Sequence, residues 1–109
     1  MELKNRERIV LSMILEPQAG RYDVLKLVRK LREDLSFSES EIKEVNLRAE
    51  EGGGYRWDKD LVKDVEIGEV TMGVIKKQFE KLEKEGRLHE THMDIYEKFV
   101  PQLSFENKE

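Results

Sequence analysis

The amino-acid sequence predicts an α+β fold, in which helices pack around a small two- or three-stranded antiparallel sheet with a Gly-rich hairpin. Apolar residues recur at helical spacing toward both ends of the chain, the period changes to alternation in the middle, and three consecutive glycines separate the alternating segments. A chain of 109 residues has the length of one domain. We therefore expect a single domain over residues 1–101 and a frayed polar tail over residues 102–109.

The amino-terminal third predicts two helices. The first is expected over residues 2–15, where apolar side chains recur at helical spacing. Pro17 and Gly20 then break the chain, and Asp23 is the expected N-cap of the second helix. The apolar stripe of this second helix consists of Val24, Leu27, Val28, Leu31 and Leu35.

Short strands are predicted in the middle of the chain. Apolar and polar side chains alternate over residues 45–49 and again over residues 55–57. Between these segments, Gly52, Gly53 and Gly54 supply the positive backbone torsions that a tight reversal needs. A third strand at residues 65–67 would complete the sheet.

The remaining helices are predicted from their ends. A serine or threonine three residues before a carboxylate has the spacing of a capping box, at Ser38–Glu41 and again at Thr91–Asp94. We expect a short helical turn after the first box and the last helix after the second. Between them the helical period returns over residues 71–85, and Gly86 is expected to end that helix.

Charge dominates the composition. Charged residues make up 40% of the chain, against an ordinary share of about 25%, and hydrophobic residues only 38%. We therefore expect a thin core that gains stability from self-association or from a partner. The chain has no cysteine, which excludes disulfides and thiol nucleophiles. No segment resembles a signal peptide or is long enough to span a bilayer, so the expected location is the cytoplasm.

No motif predicts an enzyme. His89 and His92 share one side of a helix if that segment is helical, but they lack the spacing of a zinc-protease motif and a secure third ligand, so we expect no metal site. The glycines at 52–54 are not followed by the Lys-Ser or Lys-Thr of a phosphate loop. The sequence indicates no cofactor and no small-molecule substrate.

Two groups of residues are candidates for contacts with macromolecules. Four cations are expected on the exposed face of the second helix and would contact phosphates if nucleic acid binds: Lys26, Arg29, Lys30 and Arg32. Trp57, Phe99 and Phe105 are candidate anchors for a partner protein, although for Trp57 we favour packing in the core, because the chain has few large apolar residues. We expect only weak binding to nucleic acid, because the net charge is −4 and residues 37–71 are predominantly acidic.

The order of two helices, a hairpin and further helices resembles that of small winged-helix domains. The segment at residues 82–88, Leu-Glu-Lys-Glu-Gly-Arg-Leu, adds to this resemblance. It implies a recognition helix over residues 38–45, and this helix would be short and would carry Glu39, Glu41 and Glu44 toward the phosphates.

Four parts of the chain also resemble small uncharacterised proteins of bacteriophages and prophages. They are residues 3–8, residues 28–37 without Asp34, residues 66–69 and residues 96–99. This resemblance implies a phage or prophage context, with the host cytoplasm as location, and no known activity.

Together these features favour a small non-enzymatic protein that acts by binding another protein. We expect it to associate with itself as well, as a dimer or a higher form. The alternative is a nucleic-acid-binding regulator of the winged-helix kind.

Overall fold

Helices form most of the structure and pack against two separate pairs of short strands. The computed structural model describes residues 1–15 and 20–100, and these ranges confirm the α+β class. The predicted break at Pro17 and the predicted tail at residues 102–109 lie outside the described residues. In chain order the elements are β1 (Glu2–Lys4), α1 (Asn5–Ile14), α2 (Tyr22–Leu35), α3 (Glu39–Val45), β2 (Arg48–Ala49), β3 (Tyr55–Arg56), β4 (Val62–Asp64), α4 (Glu69–Lys84), a 3-10 turn (Glu90–His92) and α5 (Met93–Phe99).

The strands form two antiparallel pairs. In the first pair, β1 lies beside β4 with Leu3 opposite Lys63; in the second, β2 lies beside β3 with Ala49 opposite Tyr55. The glycines at 52–54, between β2 and β3, have φ angles of 88°, 101° and 86°. Glycine adopts these torsions without the steric cost that a side chain would add.

Three predictions about the strands are wrong. Residues 2–4 form a strand, so that α1 begins only at Asn5 and not at Glu2. The segment at residues 45–49 is a strand only at residues 48–49, because Val45 belongs to α3. The third strand lies at residues 62–64 instead of 65–67, and it pairs with β1 and not with the hairpin. The amino group of Met1 extends this pairing by donating to the Val65 carbonyl at 2.8 Å. Such partners are distant in sequence, and a local pattern does not reveal them.

One hydrophobic core joins the two ends of the chain. α1 packs against both α2 and α5, and α4 packs against the same two helices. The Phe79 ring of α4 lies at the centre of an aromatic group, 5.4 Å from the Tyr96 ring and 6.2 Å from the Phe99 ring between centroids. A polar contact also joins α5 to α1, because Lys98 donates to the Glu7 carboxylate at 2.9 Å.

Two helix ends form as predicted. The Ser38 hydroxyl accepts from the Glu41 N–H at 3.2 Å, and the Glu41 carboxylate accepts from the Ser38 N–H at 2.9 Å, which completes the capping box of α3. After α4, Gly86 has a φ of 68°, and the Arg87 N–H reaches back to the Leu82 carbonyl at 2.8 Å. These contacts satisfy carbonyls that the end of the helix leaves open.

Two predicted caps are wrong. Asp23 lies within the first turn of α2, and the N-cap position belongs to Arg21. At the last helix, Thr91 does not form a capping box with Asp94. Its backbone N–H instead donates to the Nδ1 atom of His89, which caps the 3-10 turn before α5. The capping acceptor in this segment is therefore a histidine nitrogen and not the predicted threonine hydroxyl.

A buried arginine connects α1, α2 and α3. The Arg8 side chain is 0% exposed. It donates to the carbonyls of Leu35 and Ser36 at 3.2 and 2.7 Å, and it forms two hydrogen bonds to the Glu41 carboxylate at 3.0 and 3.1 Å. The guanidinium carbon lies 3.8 Å from the centroid of the Phe37 ring. Arg8 thus satisfies the carboxyl-terminal end of α2 and holds α3 through a paired carboxylate.

We expect Glu41→Gln to destabilise the protein by about 3 kcal/mol, because it leaves the buried Arg8 guanidinium without a countercharge. The glutamine oxygen can still accept from the Ser38 N–H, so the capping box is kept and the loss reports on the charge. Urea denaturation at neutral pH measures the effect. Glu39→Gln, two residues earlier and exposed on the same helix, is the matched control and should cost less than about 0.5 kcal/mol. Equal losses in the two variants would contradict this role of Glu41.

Wild type and Glu41→Gln should differ in how their stability responds to acid. Hydrogen bonds from Arg8 hold the pKa of Glu41 at about 2, against 4.5 for an unperturbed glutamate, although burial of the carboxyl acts in the opposite direction. A carboxyl with a lowered pKa contributes stability above its unfolded pKa and loses it as the pH falls through its folded pKa. The difference in unfolding free energy between wild type and Glu41→Gln should therefore shrink as the pH falls from 4.5 toward 2. A constant difference over that range would contradict the assignment.

Candidate functional site

Helices α1, α2 and α3 and the hairpin enclose a groove on the surface, which we call the α1–α3 groove. Its volume is about 400 Å³, within the range of small binding pockets. Six apolar side chains contribute most of its lining: Ile9, Met13, Leu35, Phe37, Ile42 and Leu47. The groove exists because Arg8 fixes the three helices against one another at its base.

Three large apolar side chains at the groove are exposed to solvent. Met13 of α1 is 62% exposed, Tyr55 of β3 is 53% exposed and Ile42 of α3 is 37% exposed. They come from three different elements, and all of them line the same groove. A single exposed apolar residue needs no explanation, whereas a group of them around one groove makes that groove a candidate for an interaction surface.

The hairpin reaches this position because it is attached to the end of α3. Asn46 ends that helix in the left-handed conformation, with φ 57°, and its side chain donates to the Asp58 carboxylate at 2.8 Å. Arg48 pairs with the other oxygen of the same carboxylate at 3.1 Å. The hydrogen bonds from Asn46 and from Arg48 lower the pKa of Asp58. The Asp58 N–H also donates to the Val45 carbonyl at 2.8 Å, which places Tyr55 beside the groove.

Two guanidinium groups line the groove, and they differ in their partners. Arg8 is paired with Glu41 and with two backbone carbonyls. The Nε atom of Arg32, from α2, is buried and has no hydrogen-bond partner among the described residues. A buried donor without an acceptor is costly and uncommon in folded proteins. Among the described residues, Arg32 therefore gives this groove a buried donor without an acceptor.

The structure divides the four cations that the sequence places on one face of the second helix. Arg32 lines the α1–α3 groove, whereas Lys30 lines a separate cleft of about 520 Å³ between α2 and the start of α4. Lys26 and Arg29 are exposed and form no ion pair within residues 1–15 and 20–100. The four cations thus do not line one common cleft.

The three predicted aromatic anchors have different surroundings. Trp57 is half-buried outside the core and lines a cleft of about 690 Å³ among charged side chains of β1, α1 and α5. Phe99 is 2% exposed and packs in the core, so its prediction as an anchor for a partner is wrong. Phe105 lies outside the described residues.

The residues that rim the groove are not among the predicted site residues. Met13 is one of the apolar side chains that recur at helical spacing over residues 2–15, and the run from Ile9 to Leu15 contains more apolar residues than one helix face can bury. That excess was the available signal. Ile42 and Tyr55 gave none, because each stands in a short element whose neighbours in space are not its neighbours in sequence.

The two histidines cap the 3-10 turn that precedes α5. The His92 Nδ1 atom accepts the His89 N–H at 3.1 Å, and the His89 Nδ1 atom accepts the Thr91 N–H at 3.2 Å. Both acceptor nitrogens must be unprotonated for these bonds. Within the described ranges, no group of three or more His, Cys, Asp or Glu side chains is arranged to hold a metal ion.

Comparison with protein-family models, with curated proteins and with solved structures gave no match. Among the described helices, none combines the length and the apolar character needed to cross a membrane.

We expect the histidine cap to weaken below neutral pH. Burial and the neighbouring His89 lower the pKa of His92. The cap is therefore fully present above the unperturbed value of 6.5, and its contribution is lost as the pH falls through the lower folded pKa. As the pH falls, the free energy of unfolding of wild type should decrease by up to about 1 kcal/mol more than that of His92→Asn, because the asparagine side chain caps the turn without titrating. Urea denaturation at pH values from neutral down to acetate buffer measures this. Parallel pH profiles of the two proteins would refute the role of His92.

Proposed function

We propose that this chain is a non-enzymatic protein that acts by binding another protein through the α1–α3 groove. The observation that carries the proposal is the exposed position of Met13, Ile42 and Tyr55 around one apolar groove. Full burial of an apolar side chain of this size is worth about 1.5–3 kcal/mol, so covering this rim is a substantial source of affinity.

The rigidity of the groove supports the same function. Its walls are fixed by the Arg8–Glu41 pair and by the attachment of the hairpin to α3 through Asp58. A preformed surface loses little conformational freedom when it binds, and more of the burial energy then appears as affinity. The fixed walls favour a function in which the groove binds a partner without rearranging.

The proposal includes the setting in which the protein acts. A second copy of the chain is one candidate partner, because the composition predicts a thin core. A phage or prophage origin and a cytoplasmic location are further parts of the proposal, and they rest on the sequence alone. Binding of nucleic acid has weaker support. In α3, which stands where a winged-helix domain has its recognition helix, Glu41 serves Arg8 and Ile42 lines the groove.

Photochemical cross-linking in cells tests the proposal. A benzophenone amino acid replaces Tyr55 at the groove, and in a matched control it replaces Tyr22, an exposed tyrosine on α2 that does not line the groove. We expect irradiation to give a covalent adduct with a protein from the Tyr55 position and not from the Tyr22 position. Mass spectrometry identifies whether the adduct contains another protein or a second copy. Met13→Asp should abolish the adduct, because it places a charge in the apolar rim.

Three outcomes would contradict the proposal. They are no adduct from Tyr55, equal adducts from both positions, and an adduct that survives Met13→Asp. A cross-linked nucleotide at Tyr55 would favour the winged-helix alternative.

A further inference from the structure

We infer that the α1–α3 groove takes an apolar segment of a partner protein that carries a carboxylate, and that this carboxylate pairs with Arg32. The inference rests on the proposed function and specifies the chemistry of the partner.

The apolar part of the inference follows from the lining. Side chains from four elements face the groove, and Ile9, Leu35 and Leu47 lie beneath the exposed rim. Such a surface is covered well by the apolar side chains of a peptide, in the manner of a helix or strand that docks into a groove. Phosphate groups would gain little from it, since they need cations and hydrogen-bond donors. The lining therefore favours protein over nucleic acid.

The carboxylate on the partner is inferred from the charges of the residues that line the groove. The charged residues that line the groove are Arg8 and Arg32, and no carboxylate among the described residues lines it with them. Arg8 is already neutralised by Glu41, so the groove has one uncompensated positive charge. The chain as a whole has a net charge of −4. An acidic segment is thus repelled by most of the protein and attracted to this groove.

Arg32 has the hydrogen-bonding capacity that such a carboxylate needs. Its Nε atom is buried without a partner among the described residues. A carboxylate accepts from the Nε and a terminal nitrogen of a guanidinium through two parallel hydrogen bonds. A rotation of the Arg32 side chain toward an occupant would present both nitrogens and remove the cost of the unsatisfied donor. Arg29, three residues earlier on α2, lies on the same side of the helix and adds positive charge beside the groove.

The test begins with selection from a displayed library of random peptides against the immobilised full chain. Arg32→Glu serves for counter-selection. The enriched sequences are synthesised, and their dissociation constants are measured by fluorescence anisotropy against wild type and variants. Lys30→Gln is the matched control, because it removes a cation from the same helix but from the other cleft.

We expect the selected peptides to share two or more apolar residues and an aspartate or glutamate. Arg32→Gln should weaken their binding by about tenfold or more, whereas Lys30→Gln should change it by less than about twofold. Replacing the acidic residue of the peptide by lysine should abolish binding to wild type and restore it to Arg32→Glu. A general loss of folding would not produce such an exchange of specificity.

Several results would overturn the inference. They are the failure to enrich any peptide, the enrichment of sequences without an acidic residue, an equal effect of the Arg32 and Lys30 substitutions, and displacement of a selected peptide by duplex DNA. Dimerisation that blocks the peptide in sedimentation experiments would assign the groove to a second copy instead. The cross-linking from Tyr55 does not depend on the charge of the partner. Adducts at Tyr55 without acidic selectivity would therefore refute this inference and leave the proposed function intact.

Discussion

The arrangement of α1, α2 and α3 depends on one buried guanidinium. Burying a charge is unfavourable unless its partners replace water well, and an ion pair alone rarely does so. Arg8 meets this condition with two hydrogen bonds to Glu41, two to the end of α2, and the face of Phe37. Its partners lie 27 to 33 residues away along the chain. A single side chain thus fixes the angle between three helices and, with it, the base of the α1–α3 groove.

The abundance of charge makes the position of each charge more important than the total. Most ion pairs among the described residues are exposed, as at Arg21–Asp23, and such pairs contribute little because water competes with them. Arg8–Glu41 and Lys98–Glu7, which join helices of the core, are partly buried. Lys98 reaches both the Glu7 carboxylate and the Glu2 carbonyl and so joins the last helix to the beginning of the chain. Arg32 is a different case, since it is a cation in the groove whose Nε atom lacks an acceptor among the described residues.

The surface that we propose to bind a partner is assembled from elements that are each too short to be stable alone. α3 has seven residues, and β2 and β3 have two each. They hold their positions through contacts at their ends: the capping box of Ser38, the left-handed Asn46 and the Asp58 carboxylate. These contacts are polar and satisfied, so the apolar side chains between them remain available to solvent. The thin core that the composition predicts is consistent with this distribution, because several large apolar residues lie at the surface instead.

The sequence by itself determined the features that local physical chemistry controls. The capping box at Ser38, the stop at Gly86 and the burial of Leu31 and Leu35 in α2 depend on residues within one or two turns, and these were predicted. Leu27, which the sequence places in the same apolar stripe, is 42% exposed. The pairing of β1 with β4, the exposure of Met13 and the positions of Arg8 and Arg32 were not. These features depend on residues far apart in the chain. An apolar run indicates that a helix has a face to bury, but only the packing of the other helices decides which of its side chains are covered. For the same reason, two cations of one helix have different surroundings: Arg32 lines the groove with α1 and α3, whereas Lys30 lines the cleft beside α4.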